Sequence, residues 1–507
     1  MTVEITPAPL CGKVFIPPSK SAAHRLILGA ALAKGTSRVE PACHSKDIDA
    51  TLKAAAALGA EITEQNGAFY ITGIGGRPQS GSPVTIDCGE SGSTLRFLLP
   101  IAAALGRTVT FTGHGRLPQR PMREMTELLR RHGVQCSADL LPITVTGRLN
   151  PGVFKISGAV SSQHLTGLLL ALPLIGPNSS AELTTPLQSA GYIDLTVQAL
   201  AEFGVTVTAH NGVYQTTGSY RAKDVEIEGD WSQASFYLAA AAMGARLQLT
   251  GLNPRSAQGD KAGLALFAKF GVQPVWQGQT LHLEKAPQPL NGEAGESRVA
   301  VALNEVGSPY VSGKNIDACA QRKSGNNQIG LAADSPATGS LKAAVQPGGG
   351  SNSPTANSQN NGPTAAHENA NTAEAARTID CRNIPDMVPA LAAAAMFAAG
   401  QTVLTHAERL RFKESDRLAT TAAAVNALGG KADQTADGLI IYPVLPKGGQ
   451  VCGANDHRIV MAFSVAAAYA AGKTQITTAE ATEKSYPNFF KDFTTLGGKA
   501  NVLNLWN

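Results

Sequence analysis

The chain has 507 residues, of which 43% are hydrophobic, and a formal net charge of +4. This length and composition suffice for two sizeable domains, each with its own core. The modest charge, without Lys/Arg runs interleaved with aromatic residues, argues against nucleic-acid binding. Seven cysteines stand singly without a CxxC pair, so we expect neither a zinc site nor a disulfide framework, which fits a reducing compartment.

The N-terminal segment and the apolar runs carry no membrane signal. Met1–Phe15 lacks both the apolar centre of a signal peptide and the Arg- and Ser-rich composition of a transit peptide. The longest apolar runs, around Met387–Ala399 and Ile459–Ala471, are too short to span a bilayer. We therefore expect a cytoplasmic, monomeric protein without membrane or nucleic-acid partners.

The first unit of the chain reads as helix, strand, helix and hairpin. Ser21–Ala33 and Ile48–Leu58 have helical patterns, and Thr36–Glu40 between them is extended. Glu61–Thr72 reads as a hairpin, because Asn66-Gly67 suits the positive φ values of a tight turn. This order of elements predicts one α+β supersecondary unit.

The same unit occurs six times along the chain, counting the first. In each copy the second helix pattern stops at a glycine, which takes the left-handed cap conformation without a Cβ clash. These glycines are Gly59, Gly133, Gly204, Gly271, Gly429 and Gly497. They lie about 70 residues apart except for one interval about twice as long, and a fixed period marks a repeated unit. The long interval predicts an insertion between the fourth and fifth units.

The insertion is visible in the composition from about residue 287 to residue 376. Gly, Ser, Asn, Ala, Pro and Gln dominate it, with runs such as Gly348-Gly349-Gly350. Such a segment does not bury enough apolar area to offset its ordering entropy. We therefore predict a mostly disordered surface insertion.

A short sequence motif that occurs twice divides the six units into two sets. Thr85-Ile86-Asp87-Cys88 precedes the second unit, and Thr378-Ile379-Asp380-Cys381 precedes the fifth. We expect two α+β domains of three units each, one formed by residues 18–228 and the other by residues 1–17 with 229–507. Clefts between domains are preferred ligand sites, so the predicted site lies between them.

Small polar clusters open three of the apolar helices: Pro17–Arg25, Cys88–Arg96 and Ser161–His164. The free amides and the positive dipole end of a helix start attract anions. Ordinary N-capping explains each cluster taken alone, but recurrence at the same point of successive units favours anion sites. The second cluster lacks the Gly-Lys-Ser/Thr ending of a P-loop.

Basic residues also gather elsewhere in the chain. If Arg409–Arg417 is helical, Lys413 and Arg417 share one face, where like charges are mildly destabilising and a bound anion would offset them. The alternative is a solvated helix start capped by Ser415 or Asp416. The other basic clusters are Gly115–Met122, Asn455–Arg458 and Lys484–Pro487.

Together these segments resemble the 5-enolpyruvylshikimate-3-phosphate synthase family, over nearly the whole chain apart from the insertion. The segments that carry the resemblance are Pro18–Ser21 with Arg25, Gly89–Arg96, Arg120-Pro121, Ser161–Gln163, Ile384–Asp386, Lys413–Arg417, Asp456–Arg458 and Lys484. The resemblance implies an α+β fold of six βαβαββ-type units in two similar three-unit domains with a cleft between them. It also implies transfer of the enolpyruvyl group of phosphoenolpyruvate to the 5-hydroxyl of shikimate 3-phosphate, through a tetrahedral intermediate, in aromatic amino-acid biosynthesis.

The resemblance further implies roles for individual residues. Shikimate 3-phosphate would be bound by Lys20, Ser21, Arg25, Ser161, Ser162, Gln163, Ser189, Tyr192, Asp386 and Lys413. Phosphoenolpyruvate would be bound by Lys20, Gly92, Arg120, Gln163, Arg417, Arg458 and Lys484. Asp386 would accept the proton of the attacking hydroxyl, Glu414 would handle protons at the enol methylene, and Lys20 would lie near the reacting centre. Neither a metal nor an organic cofactor is expected.

Electrostatics agrees with these roles. The two substrates bring several negative charges together, and Lys and Arg residues from both sets of units would offset them, with Arg suited to bidentate oxyanion contacts. The same cations would lower the pKa of Asp386, which would then act mainly through geometry. We expect the cleft to stay open without ligands and to close around the anions, excluding water.

Two positions depart from the family pattern. Glu90 stands where many relatives carry Asn, and Arg409 stands where an Asn often contacts the phosphorylated substrate, so Arg409 receives no role. The nearest enzymatic alternative is the related transferase that acts on UDP-N-acetylglucosamine, but its mobile loop usually has a cysteine and His114–Met122 has none. A non-catalytic, anion-binding scaffold is the alternative from another class, and Asp386 and Glu414 argue against it.

Overall fold

The computed structural model describes residues 1–75, 82–159, 161–286 and 376–503. The predicted insertion at about 287–376 therefore lies outside the described residues, apart from its last position. No helix within the described ranges is long and apolar enough to cross a membrane, and the longest, Gly92–Leu105 and Ser162–Ile175, have 14 residues each.

The described residues form twelve α-helices and twenty-four strands. The helices are α1 Lys20–Leu32, α2 Lys46–Ala57, α3 Gly92–Leu105, α4 Arg123–Arg131, α5 Ser162–Ile175, α6 Ala190–Glu202, α7 Trp231–Ala242, α8 Gly263–Ala268, α9 Val388–Ala395, α10 Arg417–Ala427, α11 His457–Ala467 and α12 Phe489–Thr495. The strands are β1 Thr2–Thr6, β2 Cys11–Phe15, β3 Lys34–Glu40, β4 Glu61–Gln65, β5 Ala68–Ile74, β6 Val84–Asp87, β7 Val109–Thr112, β8 Gln135–Cys136, β9 Ile143–Thr146, β10 Val153–Ile156, β11 Ser180–Leu183, β12 Val205–His210, β13 Val213–Gly218, β14 Val225–Glu226, β15 Arg246–Thr250, β16 Val272–Gln277, β17 Thr280–Lys285, β18 Arg377–Asp380, β19 Thr402–Thr405, β20 Lys431–Gln434, β21 Leu439–Tyr442, β22 Gly449–Cys452, β23 Thr474–Thr477 and β24 Lys499–Leu503.

The described strands form six sheets of four strands each. Every sheet has the same topology, which the sheet β6-β7-β9-β8 illustrates: β6 and β7 are parallel, and β9 runs antiparallel to both β7 and β8. Helix α3 connects the two parallel strands, and α4 leads from β7 to the closing hairpin. The six βαβαββ units that were predicted are therefore present.

Glycine ends the second helix of every unit, as the sequence predicted. The six glycines have φ values from 79° to 109°, in the left-handed region where other residues are strained. The predicted turn between β4 and β5 is also confirmed, because Asn66 and Gly67 have φ values of 50° and 73°. These positions depend on local backbone requirements, which a single sequence reveals.

Buried apolar side chains form two separate cores. Core A extends from Ala22 to Ile227, and core B combines Val3–Ile16, Trp231–Leu283 and Ile379–Leu496. Helices α1, α3 and α5 lie in core A, whereas every residue of α7, α9 and α11 is buried in core B. The small Ala side chains of these helices allow close packing. Each buried Leu adds about 1.5–3 kcal/mol to the free energy of unfolding relative to an exposed Leu.

The N-terminal strands complete sheets that are built mainly from later residues. Strand β1 pairs with β23 and β24, and β2 pairs with β15, whereas β14 completes the sheet of β3. The chain therefore passes between the two cores twice, and the two passages lie side by side. The Ser19 amide donates to the Glu228 carbonyl at 2.8 Å, and the Asp230 amide donates to the Pro17 carbonyl at 2.9 Å.

Candidate active site

A cavity of about 400 Å³ lies between the two cores. Its basic lining residues are Lys20, Arg25, Arg96, Arg120, Arg409, Lys413, Arg417 and Arg458. The carboxylates that line it are Asp47, Asp386, Glu408 and Glu414. Cations outnumber carboxylates, so the cavity favours ligands that carry several negative charges.

The structure brings together all but one of the predicted site residues. Those in the lining are Lys20, Ser21, Arg25, Gly92, Arg120, Ser161, Ser162, Gln163, Ser189, Tyr192, Asp386, Lys413, Glu414, Arg417 and Arg458. Lys484 stands outside the lining, because its Nζ donates to Glu90 Oε2 at 2.9 Å and to the Asn455 carbonyl at 2.7 Å.

Capped helix starts carry many of these residues to the cavity. The hydroxyls of Ser19, Ser91 and Ser161 accept hydrogen bonds from amides at the starts of α1, α3 and α5. Asp416 and Asp456 cap α10 and α11 in the same way. Capping is therefore real, but it satisfies only part of the free amides, and the residues after the caps line the cavity.

Two guanidinium groups of like charge meet beside Gly92. A Cβ on Gly92 would lie 2.6 Å from an Nη1 atom of both Arg96 and Arg120. Burial, with the nearby Arg120, lowers the pKa of Arg96 to about 9, so the group stays charged at neutral pH. Arg120 Nη2 lies 3.3 Å from Glu414. Two buried guanidinium groups beside a residue without a side chain form a site for an oxyanion.

Hydrogen bonds fix the other polar groups of this wall. Gln163 accepts from Arg96 Nη1 at 2.9 Å through Oε1 and donates to Ser93 Oγ at 2.8 Å through Nε2. Lys20 Nζ lies 2.7 Å from Asp47 Oδ2. Both arrangements hold flexible side chains in place at the cavity before any ligand arrives, which lowers the entropy cost of binding.

Arg25 is buried next to the cavity without a carboxylate partner in the described part of the chain. Its Nε donates to Thr196 Oγ1 at 2.8 Å, and its Nη1 and Nη2 donate to the carbonyls of Ser21 (2.6 Å) and Tyr192 (3.1 Å). Burial lowers the pKa of Arg25 to about 10, so it remains protonated at neutral pH. A buried charge held only by neutral acceptors favours a nearby anion.

Asp386 occupies the centre of the wall that core B contributes. Its Oδ2 accepts from the Tyr192 hydroxyl at 2.7 Å and from Arg458 Nη2 at 3.1 Å. Its Oδ1 lies 3.0 Å from Arg417 Nη1 and 3.5 Å from Lys413 Nζ. Burial by itself would raise the pKa of Asp386, but the three cations, Arg458 most strongly, hold it well below its usual value. The direction predicted from the sequence is confirmed.

The segment before α10 does not form the helix that the sequence analysis considered for Arg409–Arg417. A 3₁₀ turn covers Glu408–Phe412, and Lys413 is extended, with φ −88° and ψ −159°. Lys413 and Arg417 therefore do not share a helix face, and they reach Asp386 from different backbone conformations. Asp416 caps α10, as the alternative interpretation proposed.

Arg417 is buried among three carboxylates. Its Nε lies 2.9 Å from Asp456 Oδ2, and its Nη2 lies 2.5 Å from Glu414 Oε2. Burial opposes the charge of Arg417, yet its carboxylate neighbours raise the pKa above the usual value. Burial likewise favours neutral Glu414, but Arg120 and Arg417 hold its pKa well below normal. Glu414 thus bridges the basic groups of the two walls.

Ser189 connects α6 of core A to core B. Its backbone is left-handed, with φ 58° and ψ 46°, and its amide donates to Asn383 Oδ1 at 2.9 Å. Arg409 Nη2 donates to Ser189 Oγ at 3.1 Å and to the Arg382 carbonyl at 2.8 Å. A strained conformation for a residue other than Gly is frequent at functional positions.

Several lining residues received no role from the sequence. The polar ones are Asp47, Ser93, Arg96, His164, Glu408, Arg409 and His457. Helical spacing was a usable signal for Arg96, which lies one turn after Gly92. For His457 the available signal was its place beside Arg458 in the cluster Asn455–Arg458. Burial, then Lys20 and Arg458, keep the pKa of His457 well below 6.5. No group of three or more His, Cys, Asp or Glu within the described ranges is arranged to hold a metal ion.

The chain is similar to known proteins over almost its whole length. A family model described as EPSP synthase (3-phosphoshikimate 1-carboxyvinyltransferase) matches residues 5–324 and 355–493. The 3-phosphoshikimate 1-carboxyvinyltransferase of Clostridium novyi is 33% identical over 100% of this chain and 99% of its own. The protein of that name from Clostridium kluyveri is 32% identical, over 98% of this chain and 97% of its own.

Solved structures show the same fold. An EPSP synthase structure from Acinetobacter baumannii covers 99% of this chain and 100% of its own, with a TM-score of 0.67 and 23% sequence identity. A second structure of EPSP synthase from that organism has the same TM-score and 22% identity over the same shares of both chains. At these identities the similarity concerns the fold alone.

Proposed function

The chain belongs to the EPSP synthase family, and we infer that it transfers the enolpyruvyl group of phosphoenolpyruvate to the 5-hydroxyl of shikimate 3-phosphate, releasing phosphate. This reaction belongs to the shikimate pathway of aromatic amino-acid biosynthesis. One observation carries the proposal: eight Lys and Arg side chains and four carboxylates line one cavity between two cores. Such a lining suits two substrates that both carry phosphate and carboxylate groups.

We assign phosphoenolpyruvate to the part of the cavity around Gly92. Because Gly92 has no side chain, the guanidinium groups of Arg96 and Arg120 approach its backbone closely, and together they suit a phosphate. Arg417 and Arg458 would bind the carboxylate from the side of core B. The remaining residues assigned to this substrate are Lys20, Gln163 and Lys484, of which Lys484 stands outside the lining in its contact with Glu90.

We assign shikimate 3-phosphate to the neighbouring hydroxyl-rich part of the cavity. Hydroxyl groups from the starts of α1, α5 and α6 suit a phosphate, and the unpaired charge of Arg25 suits a carboxylate. The residues assigned to this substrate are Lys20, Ser21, Arg25, Ser161, Ser162, Gln163, Ser189, Tyr192, Asp386 and Lys413.

The reaction proceeds by addition and elimination. Asp386 accepts the proton of the 5-hydroxyl while that oxygen bonds to C2 of phosphoenolpyruvate and C3 takes up a proton, which Glu414 supplies. The tetrahedral intermediate then loses phosphate as the bond between C2 and the phosphate-ester oxygen breaks, and the proton that Asp386 accepted passes to the leaving phosphate. A proton leaves the C3 methyl group for Glu414, which restores the double bond of the enol ether. The charge of Lys20 would offset negative charge that develops near the reacting carbon.

Both carboxylates depend on the substrates for suitable proton affinity. Basic neighbours hold the pKa of Asp386 and of Glu414 well below the usual values. Bound anions would offset these cations and raise both pKa values towards the range in which a carboxyl group takes up a proton. Glu414 then serves as acid and as base, and exclusion of water on closure strengthens the effect.

We further propose that the two cores are two domains, residues 18–228 and residues 1–17 with 229–507, and that they close around the substrates. The adjacent passages at Pro17–Ser19 and Glu228–Asp230 are the expected hinge. The contact between Tyr192 of core A and Asp386 of core B supports closure, because it shows that side chains of the two walls can meet. We also propose that the enzyme is a cytoplasmic monomer; the free thiols of its described cysteines fit a reducing compartment.

Release of inorganic phosphate tests the proposed function. We expect release only when phosphoenolpyruvate and shikimate 3-phosphate are both present, and none when UDP-N-acetylglucosamine replaces the latter. A scaffold without catalytic activity would bind the anions and release no phosphate. Asp386→Ala should retain substrate binding and lose turnover, and unchanged turnover would remove the role assigned to Asp386.

A further inference from the structure

Glu90 connects the two cores beside the cavity. It stands in the turn before α3, and its Oε2 accepts from Lys484 Nζ at 2.9 Å. Asn455 Nδ2 donates to both oxygens of Glu90, each at 3.1 Å. Lys484 Nζ also donates to the Asn455 carbonyl at 2.7 Å. The three residues form one polar cluster, hereafter the Glu90 latch, to which core A contributes the anion.

The latch is shielded from solvent. The side chains of Lys484 and Glu90 are 4% and 17% exposed. An ammonium group buried to this extent needs a counter-charge. Without Glu90, the Asn455 carbonyl would be its only acceptor among the residues that the structure describes. Breaking such a shielded pair costs far more than breaking a pair on the surface.

The backbone holds both sides of the latch in place. Asn455 is left-handed, with φ 52°, and its amide donates to Thr478 Oγ1 at 3.0 Å. On the other side Gly115 packs so closely on Glu90 that a Cβ there would overlap the carboxylate. Gly115 belongs to the loop that carries Arg120. Glu90 therefore supports this loop in addition to pairing with Lys484.

We propose that Glu90 is a positioning residue for the transfer reaction, whose latch holds the two cores together and sets Lys484 beside the wall that binds phosphoenolpyruvate. This inference rests on the proposed function, which makes phosphoenolpyruvate the ligand of that wall. Without the charge of Glu90, the cores separate more easily and Lys484 loses its fixed position. Binding of phosphoenolpyruvate then weakens, whereas the chemistry at Asp386 continues.

Glu90→Gln tests the latch, with Lys46→Gln as the matched control. Lys46 and Glu483 form a second ion pair between the cores, at 2.8 Å, but their side chains are 61% and 50% exposed. Glu90→Gln should raise the KM for phosphoenolpyruvate roughly tenfold with little change in kcat, because neutral hydrogen bonds replace charge-assisted ones. Lys46→Gln should leave both constants unchanged, because exposed ion pairs contribute little.

Small-angle scattering with both substrates present, when the cores are closed, gives a second readout. Glu90→Gln should have a larger radius of gyration than the unmodified chain and Lys46→Gln, which should agree with each other. If Glu90→Gln matches the unmodified chain in KM and in size, the latch is refuted. A lower KM would also refute it, because Glu90 would then compete with phosphoenolpyruvate for Lys484.

The two proposals fail in different ways. If the unmodified chain releases no phosphate while Glu90→Gln still expands, the proposed function fails and the latch remains. If Glu90→Gln does not fold, Asn455→Gly replaces it, because Gly tolerates the left-handed backbone, removes two contacts to Glu90 and leaves Lys484 paired. Asn455→Gly should then raise the KM for phosphoenolpyruvate by a smaller factor, and an unchanged KM would refute the latch.

Discussion

Gly92→Ala tests the oxyanion site of Arg96 and Arg120 with a single methyl group. The new Cβ would lie 2.6 Å from both guanidinium groups, so each must retreat by about 0.8 Å to reach ordinary van der Waals contact at 3.4 Å. The obstructing atoms are the ends of flexible side chains, and Ala is a better helix former than Gly. We therefore expect the fold to remain intact while the site changes.

The retreat disturbs contacts that align the two guanidinium groups. Arg96 would lose its alignment with Gln163, now at 2.9 Å, and Arg120 its contact with Glu414, now at 3.3 Å. One hydrogen bond to a charged group is worth about 1.5–3 kcal/mol. Losing one such hydrogen bond between a guanidinium group and bound phosphoenolpyruvate corresponds to a roughly 10- to 100-fold higher KM for this substrate. Shikimate 3-phosphate, assigned to another part of the cavity, should be much less affected.

Steady-state phosphate release, with each substrate varied in turn, measures both KM values. Thermal unfolding of Gly92→Ala checks that the fold is retained. An unchanged KM for phosphoenolpyruvate would refute the assignment of this substrate to the Gly92 site. An equal rise in both KM values would also refute it, since the methyl group would then act on the whole cavity.

Two further predictions concern pH and closure. Burial holds the pKa values of His24 and His457 well below 6.5, so in acid the unfolded chain binds protons that the folded chain does not. The free energy of unfolding should therefore fall as the pH drops below 6.5, by up to about 1.4 kcal/mol per histidine per pH unit. Urea unfolding at several pH values measures this change, and a constant free energy of unfolding below pH 6.5 would contradict the prediction. Saturation with both substrates should reduce the radius of gyration of the unmodified chain in small-angle scattering, because the cleft closes, and a constant radius would exclude the hinge.

The repeating fold was predictable because its signals are local. A helix that ends in a left-handed residue needs glycine, and this requirement holds at all six ends regardless of distant contacts. The turn at Asn66-Gly67 follows from the same backbone requirement. The helix considered for Arg409–Arg417 was not predictable in the same way. A 3₁₀ turn takes its place, and Lys413 is extended where its side chain meets the distant Asp386.

The electrostatic connections of the site depend on distant residues. Lys20 pairs with Asp47, 27 positions away, and Glu90 pairs with Lys484, 394 positions away. The sequence marked Glu90 as a departure from the family pattern, but its partner became evident only when the two cores were placed together. His457 entered the cavity for the same reason, since the N-terminal end of α11 faces core A there.

A crystal structure with shikimate 3-phosphate and phosphoenolpyruvate bound tests most directly whether both cores share one anion site. We predict phosphoenolpyruvate beside Gly92 and Arg120 of core A and in contact with Arg417 or Arg458 of core B. Asp386 should then lie within hydrogen-bond distance of the 5-hydroxyl. Substrates held by only one core, or bound away from the cavity, would contradict the account.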